Sequence, residues 1–446
     1  MMKKEILRQL EQAWGDVPGW MNEMSSAALG RYLQGLGWQV GPEGLSVRVN
    51  PAKVAIAEEL VSGAFGTDVQ LTAVEIAGPG TGRAHICRMR TSVDQENIPR
   101  SVILKCVNED CPWISDKTEL FRTFFNEWAS YDFLHRLELS EPIIPQFYGG
   151  DAEAGVMVIQ DLGKVQKTHN AVYGTDAAYA EEMIIGWMKM VGKMHALSIG
   201  HQEMFHRIRT ALAPVPPTTS KTRQKRLMTQ DFYQTCELIG KKPRRGCAKE
   251  IERIATMIVN PGPFAALSRG DNAPGDCVKE GSELKLLDFE FGRFQHALLD
   301  ATSFRMISPT AWRREYLAPA NVVSRAETAY RSELVKGCPQ AEDDVVFTTA
   351  SVEAVAYWGL LRHDGQFSPE FVAGLLEQDN EWGGRQRVVQ RLRILAETTE
   401  KSGHLPALGA TARDLENRLC ALWPEVEEMP YYPAFVKGEY SDGWIN

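Results

Sequence analysis

The stretch Leu267-Ser268-Arg269-Gly270-Asp271, continuing through Pro274-Gly275-Asp276 to Leu286-Leu287-Asp288-Phe289-Glu290-Phe291, places carboxylates on loops that flank a short apolar segment. Phosphoryl transfer needs such an arrangement. One carboxylate at a strand end or tight turn accepts a hydroxyl proton, and others a short hairpin away hold Mg²⁺ against triphosphate oxygens. Asp271 suits the first role and Asp288 the second, while Asp276 supplies a further oxygen ligand from the intervening loop. Each piece alone has a plainer reading, because Asp-Asn and Pro-Gly are ordinary turn formers and an aspartate before an apolar run is often a cap. As a set they point to a metal-assisted site.

Elements must hold these loops in place, and composition bounds what those elements are. At 446 residues the chain exceeds one small core and predicts two or three domains or lobes. Apolar content of 44% and charged content of 24% belong to an ordinary globular protein and exclude a largely disordered one. The amphipathic start (Ile6, Leu7, Leu10, Trp14) lacks the apolar core of a secretory signal, and no window approaches the roughly 18 apolar residues of a membrane helix. The eight cysteines fall singly, without paired spacing, which argues against a zinc site and a disulfide framework and makes a cytoplasmic setting the expectation. A formal net charge of −9 disfavours nucleic acid as a partner and is compatible with a cationic small molecule.

Along the chain, residues 1–65 read as a mostly helical segment, with Trp38 to Val49 extended. From residue 66 to 163 the texture is that of a small antiparallel sheet: Leu71 to Ile76, a glycine-rich turn Gly78-Pro79-Gly80-Thr81-Gly82-Arg83, then His85 to Arg90 and Ser101 to Val107. Apolar residues at Leu120, Phe124, Phe125, Trp128, Tyr131 and Leu134 predict a helix over Lys117 to Leu137 with Glu127 near its middle. Two more strands, Ile143 to Tyr148 and Val156 to Ile159, end at Gln160-Asp161-Leu162-Gly163. Residues 164–340 form a second region, mostly helical, that carries the carboxylate loops; Ala177 to Leu197 is its clearest helix. Between Pro214 and Lys249 a basic connection around one helix reads as a solvated face. Residues 341–446 form a helical extension, with helices over Asp343 to Leu361, Arg385 to Thr399 and Thr411 to Leu422. Its aromatic residues (Tyr357, Trp358, Trp382, Tyr431, Tyr432) are candidates for a cation-binding wall or, more plainly, core.

The order of parts (glycine-rich hairpin, strand lysine, helix glutamate, an Asp-Leu-Gly strand end, an HGD-like loop and a D-F-E segment) resembles the aminoglycoside phosphotransferase and choline kinase-like superfamily over roughly residues 70 to 335. The resemblance implies an α+β, protein-kinase-like bilobal fold. Its N-lobe is an antiparallel sheet with one main helix, and its C-lobe is mostly helical. It implies that Gly80 and Gly82 cover the ATP phosphates, where missing side chains let the backbone approach. Lys105 looks like the strand lysine that pairs with phosphates, and Glu127 like its helix partner. Gln160 and Leu162 match the linker whose backbone reads the adenine edge. Asp271 takes the place of the residue that deprotonates the acceptor hydroxyl, Asp288 of the principal Mg²⁺ ligand, and Asp276 of the second metal position, with Glu290 assisting. His195, in Met194-His195-Ala196, and Asp300 read as structural.

Two departures matter. The family usually has histidine where this chain has Arg269, and asparagine where it has Asp276. Aspartate remains an oxygen ligand but adds a charge. A guanidinium beneath the catalytic loop requires a carboxylate partner, with Asp288 a candidate. The expected activity is ATP- and Mg²⁺-dependent transfer of the γ-phosphoryl to a hydroxyl of a small metabolite or antibiotic, with no nucleic-acid or membrane partner and a homodimer as an open option. AMP transfer on the same fold is one alternative; a pseudoenzyme scaffold, favoured by Arg269, is the other.

Overall fold

The computed structural model describes residues 2–14, 21, 24–36, 38–41, 44–47, 49–77, 83–109, 111, 114, 116–137, 141–214, 221–307, 316–362, 367–380 and 383–436. The chain is an α+β protein of two compact units. One comprises residues 1–165, 204–215 and 289–292; the other comprises 166–203, 216–288 and 293–446.

The first unit opens with α1 (Met2–Trp14), α2 (Ser26–Gly35), a hairpin of β1 (Trp38–Gly41) and β2 (Gly44–Val47), and α3 (Pro51–Phe65). Asn50 starts α3 by accepting from the Ala52 amide, Pro51 fits its first turn, and Gly66 ends it at φ +64°. A five-stranded antiparallel sheet follows, built from β3 (Leu71–Ile76), β4 (Ala84–Thr91), β5 (Ser101–Val107), β6 (Phe147–Asp151) and β7 (Val156–Gln160) in the order β3-β4-β5-β7-β6. Between β5 and β6 lies α4 (Lys117–Arg136), capped by Asp116.

Side chains of a strand alternate between faces, and β5 shows what that does here. Val102, Leu104 and Cys106 join a core with Leu29, Leu33, Ala57 and Val61 from the helices of residues 1–65. Val107 joins a second core with Leu120, Phe124, Phe125 and Trp128 of α4. Lys105, two residues before Val107, is therefore on the α4 side, in register with Ile86 of β4 and Met157 of β7. The N-terminal helices are thus the cover of one sheet face.

The second unit begins with the short β8 (Gln166–Lys167) and α5 (Thr168–Val172), followed by α6 (Ala177–Ser198). Helix α7 (Gln202–Leu212) runs largely in the first unit. Then come α8 (Lys221–Ile239), α9 (Cys247–Val259), β9 (Ala265–Ser268), β10 (Cys277–Glu280), β11 (Glu283–Leu286), β12 (Arg293–His296) and α10 (Leu298–Ser303). The basic connection is mostly the 19-residue α8, with residues 215–220 outside the described residues. Arg244 pairs with Asp414 at 2.6 Å, and Lys225 pairs with Glu252. Strands β9 and β12 pair antiparallel, as do β10 and β11. The remainder is helical: α11 (Ala320–Leu334), α12 (Asp344–Ala356), α13 (Pro369–Glu377), α14 (Gly384–Ser402) and α15 (Pro406–Leu422). Helices α11 and α13 were not anticipated from apolar spacing. Among the described residues no helix is long and apolar enough to cross a membrane.

Candidate active site

In the first unit, Lys105 Nζ stands 2.5 Å from Glu127 Oε1, and both residues are buried, at 8% and 4% exposure. The pair follows from the elements that carry it: a strand with Lys105 on its α4 face, and a helix whose apolar stripe seats Glu127 toward that face. Burying two charges costs several kcal/mol per ion before their attraction is counted, so packing alone does not favour such a pair.

The segment after β7 is fixed by Asp161, whose importance local patterning did not disclose. Its carboxylate accepts from Arg88 Nε at 2.6 Å, Ser101 Oγ at 2.6 Å and the Gly163 amide at 2.9 Å. Burial pushes this carboxyl up, but the bonds from Arg88, Ser101 and Gly163 outweigh it and hold it below the ordinary aspartate value. Gln160 ends β7 with its amide donating to Gln146 O at 2.8 Å, and Leu162 is half-buried between Asp161 and Gly163. Gly80 and Gly82, with the whole glycine-rich turn, lie outside the described residues. Arg83, just beyond that turn, pairs with Glu290 at 2.5 Å and lies over the Phe291 ring at 5.3 Å. Glu290 is further anchored through its carbonyl, which accepts from Asn126 Nδ2 at 3.3 Å, while Phe289 packs edge-on against Tyr131 of α4 at 5.4 Å. Gly292 permits this docking: a Cβ there would lie 2.2 Å from Ser130 Oγ and 2.8 Å from Phe289 O.

The second unit carries the carboxylate loops. Asp271 follows β9 and is half-buried; Asp276 ends a short 3₁₀ turn before β10; Asp288 follows β11, is exposed, and has φ +61°, a left-handed conformation that a non-glycine residue rarely adopts. Arg269 is fully buried, and its partners differ from the sequence expectation. The nearest carboxylate is Asp276, with Nη1 3.5 Å from Oδ2, rather than Asp288. Nη1 also donates to the carbonyls of Asp276 at 3.1 Å and Leu287 at 2.9 Å, and Nη2 to Asn272 Oδ1 at 2.5 Å. The reason is local. The Leu287 amide donates to the Asp276 carbonyl at 2.8 Å, which closes the hairpin so that both carbonyls face the guanidinium.

Beneath the loop lies a buried network. Asp300 accepts from Ser268 Oγ at 2.6 Å and lies 3.3 Å from His195 Nε2, and His195 Nδ1 lies 2.8 Å from Tyr330 Oη. Both ring nitrogens of His195 are therefore engaged, which makes it a structural histidine. Asn272 bridges outward, accepting from Trp187 Nε1 at 3.2 Å and donating to the Asp300 carbonyl at 3.0 Å. The Asp-Asn pair reads in sequence only as a turn former, yet Asn272, through Trp187 and Asp300, fastens the loop beside Asp271 to the core.

Among the described residues no three histidine, cysteine, aspartate or glutamate side chains are grouped to hold a metal ion. Asp276 and Asp288 nonetheless suit magnesium in their donor chemistry. Burial pushes the Asp276 carboxyl well above the ordinary aspartate value against the pull of Arg269, and the charges of Asp288 and Asp271 add to the rise. A divalent cation relieves that repulsion, and Mg²⁺ typically takes one or two carboxylates and completes its shell with phosphate oxygens and water.

No protein-family model matches the chain, and no curated protein matches it in sequence. Solved structures similar to it are small-molecule kinases. Choline kinase LicA from Streptococcus pneumoniae is 12% identical, with 77% of this chain and 98% of that one covered and a TM-score of 0.36. A putative aminoglycoside phosphotransferase from Ralstonia eutropha is 10% identical, with 85% and 100% covered and a TM-score of 0.40. The macrolide 2'-phosphotransferase MphH from Brachybacterium faecium is 13% identical, with 67% and 97% covered and a TM-score of 0.36. At these values the likeness carries no argument for activity or substrate.

Of the extension's aromatic residues, Trp358 is buried and donates from Nε1 to the Leu299 carbonyl at 2.9 Å. Tyr357 lies beside it, with ring centroids 5.3 Å apart and the planes tilted by 58°. Tyr432 is buried in a three-ring cluster, 5.6 Å from Tyr173 and 5.8 Å from Tyr316, and Tyr431 bridges to Leu317. Trp382 lies outside the described residues.

Proposed function

We propose that the protein is an ATP- and Mg²⁺-dependent phosphotransferase that moves the γ-phosphoryl group to a hydroxyl of a small metabolite or antibiotic. The observation that carries this reading is the buried Lys105–Glu127 pair at 2.5 Å on a five-stranded antiparallel sheet. A carboxylate 2.5 Å away fixes the position of the lysine's ammonium, which is what neutralising α- and β-phosphate oxygens requires. The backbone of residues 160–162, held through Asp161's bonds to Arg88, Ser101 and Gly163, meets the adenine edge in this reading. The glycine-rich turn with Gly80 and Gly82 covers the phosphates in this reading.

Asp271 orients the acceptor hydroxyl and takes its proton as the oxygen attacks the γ-phosphorus; the O–P bond to the β-phosphate breaks and ADP leaves. Asp288 and Asp276 would hold magnesium, which supplies charge neutralisation on the phosphate oxygens. Glu290 assists from the far side of Phe289 only by releasing Arg83. The acceptor is a small alcohol of a metabolite or antibiotic, and the net charge of −9 is compatible with an amine-bearing one without selecting it.

A scaffold without catalysis is the second reading, and the buried Arg269 in place of the family's histidine favours it. Incubation with ATP labelled separately at the γ- and α-phosphate, together with pooled alcohols, amino alcohols and antibiotics, separates the readings. Label passing from the γ position into a new small molecule supports phosphotransfer. Passage of α-label alone shows AMP transfer, and binding of ATP without either overturns the enzymatic reading.

A further inference from the structure

Resting on that phosphotransferase reading, we infer that Arg269 and Asp276 are a charge-compensating pair: the guanidinium offsets the additional carboxylate, so that the metal-binding loops keep a working charge balance. Three carboxylates, Asp271, Asp276 and Asp288, lie on loops of one unit, and Arg269 is the cation paired with the second of them. Arg269 is fully buried, with Nη1 3.5 Å from Asp276 Oδ2. A buried guanidinium without a counter-charge is expensive, and so is a desolvated carboxylate flanked by two others. Each residue of the pair offsets part of the other's penalty.

The same side chain binds the parts together. Its donors reach Asn272 next to the proposed base, the Asp276 carbonyl, and the Leu287 carbonyl next to Asp288. A lysine in its place would deliver the charge but not the planar fork that serves three acceptors at once. Arg269, fully buried, is thus a positioning residue that acts through the loops it holds.

The pair makes opposite single substitutions act oppositely on cation affinity. The probe is Mg²⁺ alone, titrated against the thermal midpoint of the full-length protein at pH 8, where an ordinary histidine is neutral. Asp276→Asn removes a carboxylate beside an intact guanidinium and is expected to raise the half-saturating Mg²⁺ concentration by roughly tenfold; Arg269→His removes the cation and is expected to lower it by a similar factor. The double variant is expected to return to within about threefold of wild type, a cancellation that loss of packing does not produce. If Arg269→His does not fold alone, Asp276→Asn compared with the double variant gives the same test, and Arg269→Lys, which keeps the charge, is expected to hold the wild-type Mg²⁺ midpoint even where its thermal midpoint falls. Weakening by both single substitutions with a still weaker double variant overturns the inference. A wild-type protein whose midpoint ignores Mg²⁺, with or without ATP, overturns the metal-dependent reading itself and the inference with it; a wild-type response with additive variants overturns only the inference.

Discussion

Replacing Glu127 with leucine removes the carboxylate that stands 2.5 Å from Lys105 Nζ in a site where both residues are less than one-tenth exposed. Removing one partner of a buried ion pair costs about 3–5 kcal/mol, because the remaining charge stays desolvated. Replacing both partners with apolar side chains of similar volume is near neutral, or stabilising by about 1–4 kcal/mol. Glu127→Leu is therefore expected to accelerate amide hydrogen exchange in β5 and α4 by about 150- to 5,000-fold, up to the ceiling set by global unfolding. Lys105→Met combined with Glu127→Leu is expected to restore wild-type protection in the same amides. Exchange should be followed by mass spectrometry on peptides covering residues 101–107 and 117–136, with ATP-induced protection measured in parallel. The double variant should be stable and should show no ATP-induced protection, which separates the pair's role in function from its role in folding. A double variant as unprotected as Glu127→Leu would refute the ion-pair argument, and one that still responds to ATP would refute the assignment of Lys105 to phosphate binding.

Asp161 makes stability depend on pH in a defined direction. Its carboxyl is held below the ordinary aspartate value in the folded chain, so its contribution is complete above about pH 4 and is lost as pH falls through the lower folded value. Asp161→Asn should lower the unfolding midpoint at pH 7 and converge with wild type in acid, and a gap that widens in acid would reverse the sign. Asp288→Ala is expected to raise the Mg²⁺ concentration for half-maximal ATP-dependent stabilisation by about tenfold or more; its exposed side chain contributes little to packing, but at φ +61° alanine is less tolerated than aspartate, so metal-free stability is expected to fall by about 1 kcal/mol. Gly292→Ala is expected to destabilise by about 1–3 kcal/mol, because its Cβ meets Ser130 Oγ at 2.2 Å and the Phe289 carbonyl at 2.8 Å. Denaturant midpoints measure this, and a neutral Gly292→Ala would show that the Phe289–Gly292 segment packs less closely than described.

The parts most legible in sequence were those that local chemistry dictates. Lys105 sits in a short run of strand-forming residues, α4 carries an apolar stripe at helical spacing, and both appear at those positions. Residues 1–65 read as helical, but nothing in their spacing disclosed that Leu29, Leu33, Ala57 and Val61 cover a sheet face, because that partner surface is assembled from distant strands. The partner of Arg269 was misjudged for a related reason: sequence proximity to a motif does not reveal how the hairpin from Asp276 to Leu287 closes. The clasp of Asp161 with Arg88 and Ser101 joins residues 73 and 60 positions away, beyond any local pattern. Asp271, Asp276 and Asp288 were singled out by type and spacing, and the structure places all three on loops of one unit, where their charges interact.

The most direct test of the central claim compares wild type with Asp271→Asn in Mg²⁺ and γ-labelled ATP with the pooled acceptors, while ATP binding is measured on both proteins. Transfer of label by wild type, reduced by about 10²-fold or more in Asp271→Asn with ATP binding unchanged, is the predicted result. Equal transfer by both proteins, or ATP binding by wild type with no label transferred to any acceptor, would contradict it.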